Sequence, residues 1–146
     1  MEEQVIVLSG AADPLTVGHL KLIQDAAKYG RVVWVLNSDH WLRSKKGYAF
    51  MKWADRAEIL RSIKGISEVL PVDDSDGSVC KALEVLKPTY FGHGGKEYAI
   101  PELKTCADLG IELVWGLGGE VQFSSGDIID CMINNLIDRI EPHFKK

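Results

Sequence analysis

Val5-Ile6-Val7-Leu8-Ser9-Gly10 is a continuous apolar run that halts at a small polar pair, the pattern of a strand buried on both faces. From Val17 the spacing changes: Leu20, Ile23 and Ala27 fall at i, i+3 and i+7, and Gly30 supplies a helix stop. Val32-Val33-Trp34-Val35-Leu36 is a second buried run, ended by the turn and capping cluster Asn37-Ser38-Asp39. The chain therefore opens as strand, loop, helix, strand.

The alternation continues to the end. A basic loop carrying Arg43, Lys45, Lys46 and Gly47 follows the second strand, and Asp55 to Lys64 reads as a helix with Ile59, Leu60 and Ile63 on one face. Glu68 to Val72 is a third strand, Asp73 to Ser78 a polar turn, and Val79 to Leu86 a helix. Thr89 to Gly92 is the fourth strand, Glu102 to Leu109 a helix stopped by Gly110, and Ile111 to Trp115 the fifth strand. A last helix runs from about Gly126 to Ile140, and His143-Phe144-Lys145-Lys146 reads as a frayed terminus. Strands alternating with helices over short links imply parallel strands, right-handed crossovers and helices on both faces. The expected fold is α/β: one Rossmann-like domain spanning residues 1–146 around a five-stranded parallel sheet. In such sheets ligands bind at the carboxyl ends of the strands, which directs attention to the loops after Leu8, Leu36, Gly92 and Trp115.

Composition narrows the function classes. With 146 residues, 46% of them apolar, the chain can build a real core; 17 basic against 21 acidic side chains give a net charge of −4. That balance argues against broad electrostatic binding of nucleic acid or anionic lipid, so any phosphate must be held by a local site. Cys80, Cys106 and Cys131 have no metal or redox spacing and read as reduced packing residues, and Val5 to Leu8 is too short for a signal or membrane segment. A cytoplasmic protein is expected.

The first strand runs into Ser9-Gly10-Ala11-Ala12-Asp13-Pro14-Leu15-Thr16-Val17-Gly18-His19. This is neither a dinucleotide fingerprint nor a P-loop, since the one Gly-Lys pair, Gly95-Lys96, is followed by Glu97. Gly10 and Ala11 are small enough for a nucleotide to lie against the backbone, Pro14 stiffens the turn, and Gly18 keeps the helix start clear where His19 can donate to a phosphate. The stretch resembles the signature of the nucleotidylyltransferase superfamily: a small-residue strand end, Asp-Pro, then His or Thr, any residue, Gly, His. Thr16-Val17-Gly18-His19 takes the T-x-G-H form typical of phosphopantetheine adenylyltransferases, and Ala12 stands where the family usually has Phe. Asn37 to Gly47, Phe50-Met51 and Arg56 to Leu60 resemble the glycerol-phosphate cytidylyltransferase and ADP-heptose synthase branch. So do Lys87-Pro88, Gly94-Gly95 and Tyr98, with His93 and Lys96-Glu97 replacing parts of that branch's loop, while Gln122 to Ile129 resembles the Ser/Thr-rich nucleotide loop.

The resemblance implies transfer of a nucleotidyl group from CTP or ATP to a small phosphorylated substrate, a sugar or polyol phosphate, with release of pyrophosphate. A phosphate monoester, with a second pKa of about 6, is already a nucleophile near neutrality, so the task is positioning and charge neutralisation. The catalytic candidates are Thr16, His19, Lys45, Lys46 and Arg56, the last gripping substrate or leaving group. Nucleotide-binding candidates are Ser9, Gly10, Ala11, Ala12, Asp13, Gly18, His19, Gly94, Gly95, Ser124, Ser125 and Gly126. Asn37, Asp39, Trp41, Lys96 and Tyr98 are implied on the substrate side. Mg²⁺ is expected to be held mainly by nucleotide phosphates, without a protein cage, and His93 and His40 read as surface or loop histidines. The partners implied are the triphosphate and the phosphorylated substrate, with no nucleic acid and no membrane, in a homo-oligomer. Two alternatives stay open: adenylylation of phosphopantetheine, and a nucleotide-binding module that has lost turnover.

Overall fold

The computed structural model describes residues 2–120 and 124–144. Its strands are β1 (Val5–Gly10), β2 (Arg31–Leu36), β3 (Ile66–Leu70), β4 (Tyr90–Gly92) and β5 (Glu112–Val114), all parallel, in the order β3-β2-β1-β4-β5. The helices are α1 (Val17–Ala26), α2 (Asp39–Lys46), α3 (Trp53–Arg61), α4 (Cys80–Leu86), α5 (Leu103–Leu109) and α6 (Ser125–Phe144). The expected five-stranded parallel α/β fold is present.

The period of two along the strands sorts the core into two layers. Ile6, Leu8, Val32, Trp34 and Leu36 point to one face, where Ile23 and Ala26 of α1 and Ala57 and Leu60 of α3 cover them. Val7, Val33, Val35 and Phe91 point to the other, against Leu83 of α4 and Cys106 of α5. Strand order reverses between β1 and β4, so the loops after those two strands part to opposite sides and leave a crevice at the carboxyl edge of the sheet.

Several boundaries differ from the sequence expectation. The basic stretch is the helix α2 and not a loop: Ser38 Oγ caps it by accepting from the Trp41 amide at 3.0 Å, Arg43, Lys45 and Lys46 sit at its negative end, and Gly47 closes it at φ 83°. Only Leu42 is buried there, so no apolar stripe announces it. In α3 the buried face is Arg56, Ala57 and Leu60, while Ile59 is exposed. The helix α1 ends at Ala26 and turns through Tyr29, leaving Ala27 exposed, and β3 begins at Ile66 and stops before Pro71, which has no amide to donate. At the other end α6 is helical through Phe144, where fraying was expected; Lys145 and Lys146 lie outside the described residues. The three cysteines are free, but Cys131 is exposed and packs against nothing in the core. Among the described residues no helix is long and apolar enough to cross a membrane.

Candidate nucleotide site

The loop leaving β1 is held from beneath. Trp34, fully buried, donates its Nε1–H to the Gly10 carbonyl at 3.2 Å, and a Cβ on Gly10 would lie 3.3 Å from the same indole. Ala11 and Ala12 are buried, and Ala12 takes a left-handed φ of 48° that an L side chain adopts at a cost. Asp13 is 1% exposed, and its carboxylate accepts the Phe50 amide at 2.6 Å and the Met51 amide at 2.8 Å. Expected on the nucleotide, Asp13 here fastens its own loop to the segment ahead of α3.

Thr16 is the N-cap of α1, and His19 occupies the third helical position. The Thr16 amide donates to His19 Nδ1 at 2.9 Å, with Thr16 Oγ1 3.1 Å from the same nitrogen. An Nδ1 that accepts carries no proton, so the neutral ring holds its hydrogen on Nε2, free to donate outward. Burial, and secondly the positive charge of Lys46, hold the His19 pKa below its ordinary value. The ring is further fixed by an edge contact with Trp34, 5.9 Å between centroids. His19 is thus a neutral, oriented N–H donor at a helix start.

Above it lies a cavity of about 240 Å³ walled by Thr16, Gly18, His19 and Leu22 on one side and by Gly94, Gly118, Ser124 and Ser125 on the other. The root of α6 forms its roof. Ser125 Oγ donates to the Pro14 carbonyl at 2.7 Å, and Asp127 accepts from the Ser124 amide at 2.7 Å and from its hydroxyl at 3.0 Å, which lowers the Asp127 pKa. The helical ladder leaves the first-turn amides of Ser125 and Gly126 over, at the positive end of the helix. Gly95 and Lys96 line an adjoining cleft of about 540 Å³ with Gly116, Gly119 and Glu120. Gln122 and Phe123 lie outside the described residues.

The two lysines of α2 part company. Lys46 is near enough for its charge to depress His19, whereas Lys45 lines a separate cleft with Asp74, Ser75 and Asp76, its Nζ beside Gly77. Arg56 does not reach into either region. It is 1% exposed and donates to the Met51 carbonyl at 2.9 Å, the Ala11 carbonyl at 2.7 Å, the Asn37 carbonyl at 3.0 Å and Asp39 Oδ1 at 2.7 Å. The expected substrate grip is a strut that ties the β1 loop, the end of β2 and the start of α3 into one piece.

A second cavity of about 260 Å³ opens on the other side of the β1 end, lined by Ser9, Gly10, Asn37, Trp41, Tyr98 and His93 among others. Asn37 and Ser38 are held by Asp74, 5% exposed, which accepts Asn37 Nδ2 at 3.0 Å, the Ser38 amide at 2.9 Å and Ser38 Oγ at 2.6 Å. His93 lies in the loop directly after β4, as expected, but is half-buried. Its ring stacks on Trp115 with 4.9 Å between centroids, its Nε2 is buried with no hydrogen-bond partner among the described residues, and burial lowers its pKa. A further groove of about 290 Å³ between the end of β3 and α4 is walled mainly by apolar side chains, and its one cation, Lys81, is paired with Asp73.

The pattern of the cytidylyltransferase-like family matches residues 7–117, most of the chain. The chain belongs to the cytidylyltransferase-like family. Among curated relatives it is 32% identical over 142 residues to the bifunctional protein HldE of Geobacter metallireducens, covering 94% of this chain and 27% of that protein. To HldE of Koribacter versatilis it is 30% identical, covering 83% of this chain and 24% of that one. The chain thus spans about a quarter of the length of these relatives. Among solved structures, a lipopolysaccharide core biosynthesis protein from Thermoplasma volcanium superposes with a TM-score of 0.68 at 20% identity, covering 78% of this chain and 96% of that chain. A protein assigned as a nicotinate-nucleotide adenylyltransferase from Vibrio parahaemolyticus gives a TM-score of 0.53 at 15% identity, covering 92% and 89%. Both likenesses concern the fold.

In this member of the cytidylyltransferase-like family, most of the sequence candidates fall into three sets, with Gly95 and Lys96 in the adjoining cleft and Lys45 in its own. Thr16, Gly18, His19, Gly94, Ser124 and Ser125 meet at one cavity; Ser9, Gly10, Asn37, Trp41 and Tyr98 meet at the other. Asp13, Asp39 and Arg56 are the internal fastenings between them. Sequence reasoning missed Asp74 and His93: the first sits in a polar turn with no spacing signal, while His93 directly precedes Gly94-Gly95, a position that could have singled it out.

Proposed function

We propose that the chain transfers a nucleotidyl group from CTP or ATP to the phosphate of a small sugar or polyol phosphate. An oxygen of the acceptor phosphate attacks the α-phosphorus, the bond from that phosphorus to the α–β bridging oxygen breaks, and pyrophosphate leaves with the electron pair. The observation that carries this reading is the His19 imidazole, whose Nδ1 is committed to the Thr16 amide so that Nε2–H faces the ligand side under the root of α6. Such a donor stabilises charge growing on the phosphates without itself changing protonation. Lys46 adds a positive charge to the same region, and the Ser125 and Gly126 amides supply the anion end of the helix.

The second cavity suits the acceptor. Its hydroxyl and amide groups, Ser9 and Asn37, and its aromatic walls, Trp41 and Tyr98, fit a hydroxylated carbon chain. Among the described residues no three acidic, His or Cys side chains lie together as a metal cage, a donor set that fits Mg²⁺ carried by triphosphate oxygens and water. When bound, that ion neutralises phosphate charge. The three free thiols suit a reducing cytoplasm.

The test is pyrophosphate release from purified protein with CTP or ATP, Mg²⁺ and a panel of phosphorylated acceptors. Release with a sugar or polyol phosphate supports the reading. Tight nucleotide binding with no release for any pair would assign the chain as a binding module.

A further inference from the structure

The second cavity, of about 260 Å³, holds two polar side chains that are almost wholly buried yet only partly satisfied. Glu102, 7% exposed, stands just ahead of α5 and accepts the Val79 amide at 3.1 Å through Oε1; among the described residues nothing donates to its other oxygen. Asn37, 4% exposed, spends its Nδ2–H on Asp74 at 3.0 Å, so what that side chain has left is Oδ1, an acceptor. Ser78 is already committed, donating its hydroxyl to Asp76 at 2.9 Å and accepting the Cys80 amide at 3.3 Å. No lysine or arginine lines this cavity among the described residues. Lys45 comes nearest, beside Gly77, but it belongs to the cleft with Asp74, Ser75 and Asp76. Burial holds the His93 pKa below its ordinary value, so that ring is uncharged near neutrality. The cavity is therefore rich in acceptors, and its one formal charge is the Glu102 carboxylate.

A buried acceptor without a donor costs free energy, and a ligand that brings O–H groups to Glu102 and Asn37 recovers it. A ligand that brings another anion meets like charge with no cation to offset it. We propose that Glu102 is the specificity-determining residue of this cavity, selecting acceptors whose carbon chain ends in uncharged hydroxyls and rejecting those with a second anionic group. The inference rests on the reading of this cavity as the acceptor site. A polyol monophosphate meets the requirement; a bisphosphate or the phosphate of a sugar acid does not. Because Glu102 also fastens the start of α4 through Val79, the informative change is Glu102→Gln, whose side-chain oxygen still accepts that amide while the charge is gone.

Sorbitol 6-phosphate and gluconate 6-phosphate differ only in a terminal CH₂OH against a carboxylate, and calorimetric titration of the full chain with each tests the proposal. The titrations are run with and without CTP or ATP, Mg²⁺ omitted, beside pyrophosphate release with Mg²⁺ present. The wild type is expected to prefer the sorbitol compound at least ~10-fold, the effect of a like charge about 6 Å away near a protein surface, and added KCl shrinks the preference. Glu102→Gln should bring the two within ~3-fold, chiefly by admitting the gluconate compound. A wild type that binds both alike, or neither, overturns the proposal, as does a Glu102→Gln protein of unchanged Tm that keeps the preference. Should that variant fail to fold, a wild-type preference indifferent to KCl overturns it instead. Tighter binding of ethanolamine phosphate than of sorbitol 6-phosphate overturns the hydroxyl as the partner of Glu102. Selective binding without pyrophosphate release upholds the selectivity and refutes nucleotidyl transfer, so the two readings fail separately.

Discussion

Replacing Arg56 separates two roles that one arginine could play, and the structure gives the size of the effect. Its guanidinium donates four hydrogen bonds, three to the carbonyls of Ala11, Asn37 and Met51 and one to the carboxylate of Asp39, and the side chain of Arg56 is fully buried. In Arg56→Met the volume is largely kept but all four acceptors lose their donor. An unsatisfied buried acceptor costs about 1–3 kcal/mol, and removing one partner of a buried ion pair about 3–5 kcal/mol. Asp39 is 27% exposed and recovers water, so the sum collapses toward the lower figures. The expected loss is about 3–5 kcal/mol, a fall in Tm of roughly 10–15 °C for a chain of this length. The assay is thermal or urea unfolding beside pyrophosphate release at a temperature where the variant is folded. Arg56→Lys, which retains charge but not the fork, should fall between. A variant within a couple of degrees of the parent whose turnover has nevertheless collapsed would refute the strut and return Arg56 to the substrate.

The His19 ring titrates below its ordinary 6.5, so folding stability is full above that pH and is lost as pH falls through the folded value; His19→Gln should reduce that slope in acid unfolding curves, leaving the share carried by His93. His19→Ala should lower turnover at least ~100-fold in the pyrophosphate assay. Lys46→Met should raise the apparent nucleotide Kd by about tenfold and raise the NMR titration midpoint of His19, whereas Lys45→Met, altering a cleft beside Gly77, should do neither. Gly118→Ala puts a Cβ 2.9 Å from the Leu22 amide nitrogen at a φ of 79°, and should cost about 2 kcal/mol in urea unfolding while weakening nucleotide binding through the shared wall.

The sheet was legible in the chain because buried parallel strands are continuous apolar runs, and Val5 to Leu8 and Val32 to Leu36 are long enough to stand out. Helix α2 was not, because a short helix with one buried residue is specified by a cap and a C-terminal glycine more than by periodicity. The cavity residues His19 and Ser125 could be placed because their stretches, Thr16 to His19 and Gln122 to Ile129, carry the family resemblance and follow strand ends. Arg56 could not: its type suggests solvent or phosphate, and only the spacing Trp53, Arg56, Ala57, Leu60 shows it on the inward face of α3. Asp74 and His93 depend on partners 37 residues upstream and 22 residues downstream, contacts that local spacing does not encode.

The two cavities have no lining residue in common, although the segment after β4 gives His93 to one and Gly94 to the other. One is walled by α1 and the root of α6, the other by the end of β2, the start of α4 and the segment before α5. Substitutions at Trp41 or Tyr98 therefore leave the walls around His19 untouched, and those at Leu22 or Gly118 leave Asn37 in place. On the proposed reading of the two cavities, substitutions that alter acceptor choice and those that alter nucleotide choice fall on separate walls, so that either can change before the other.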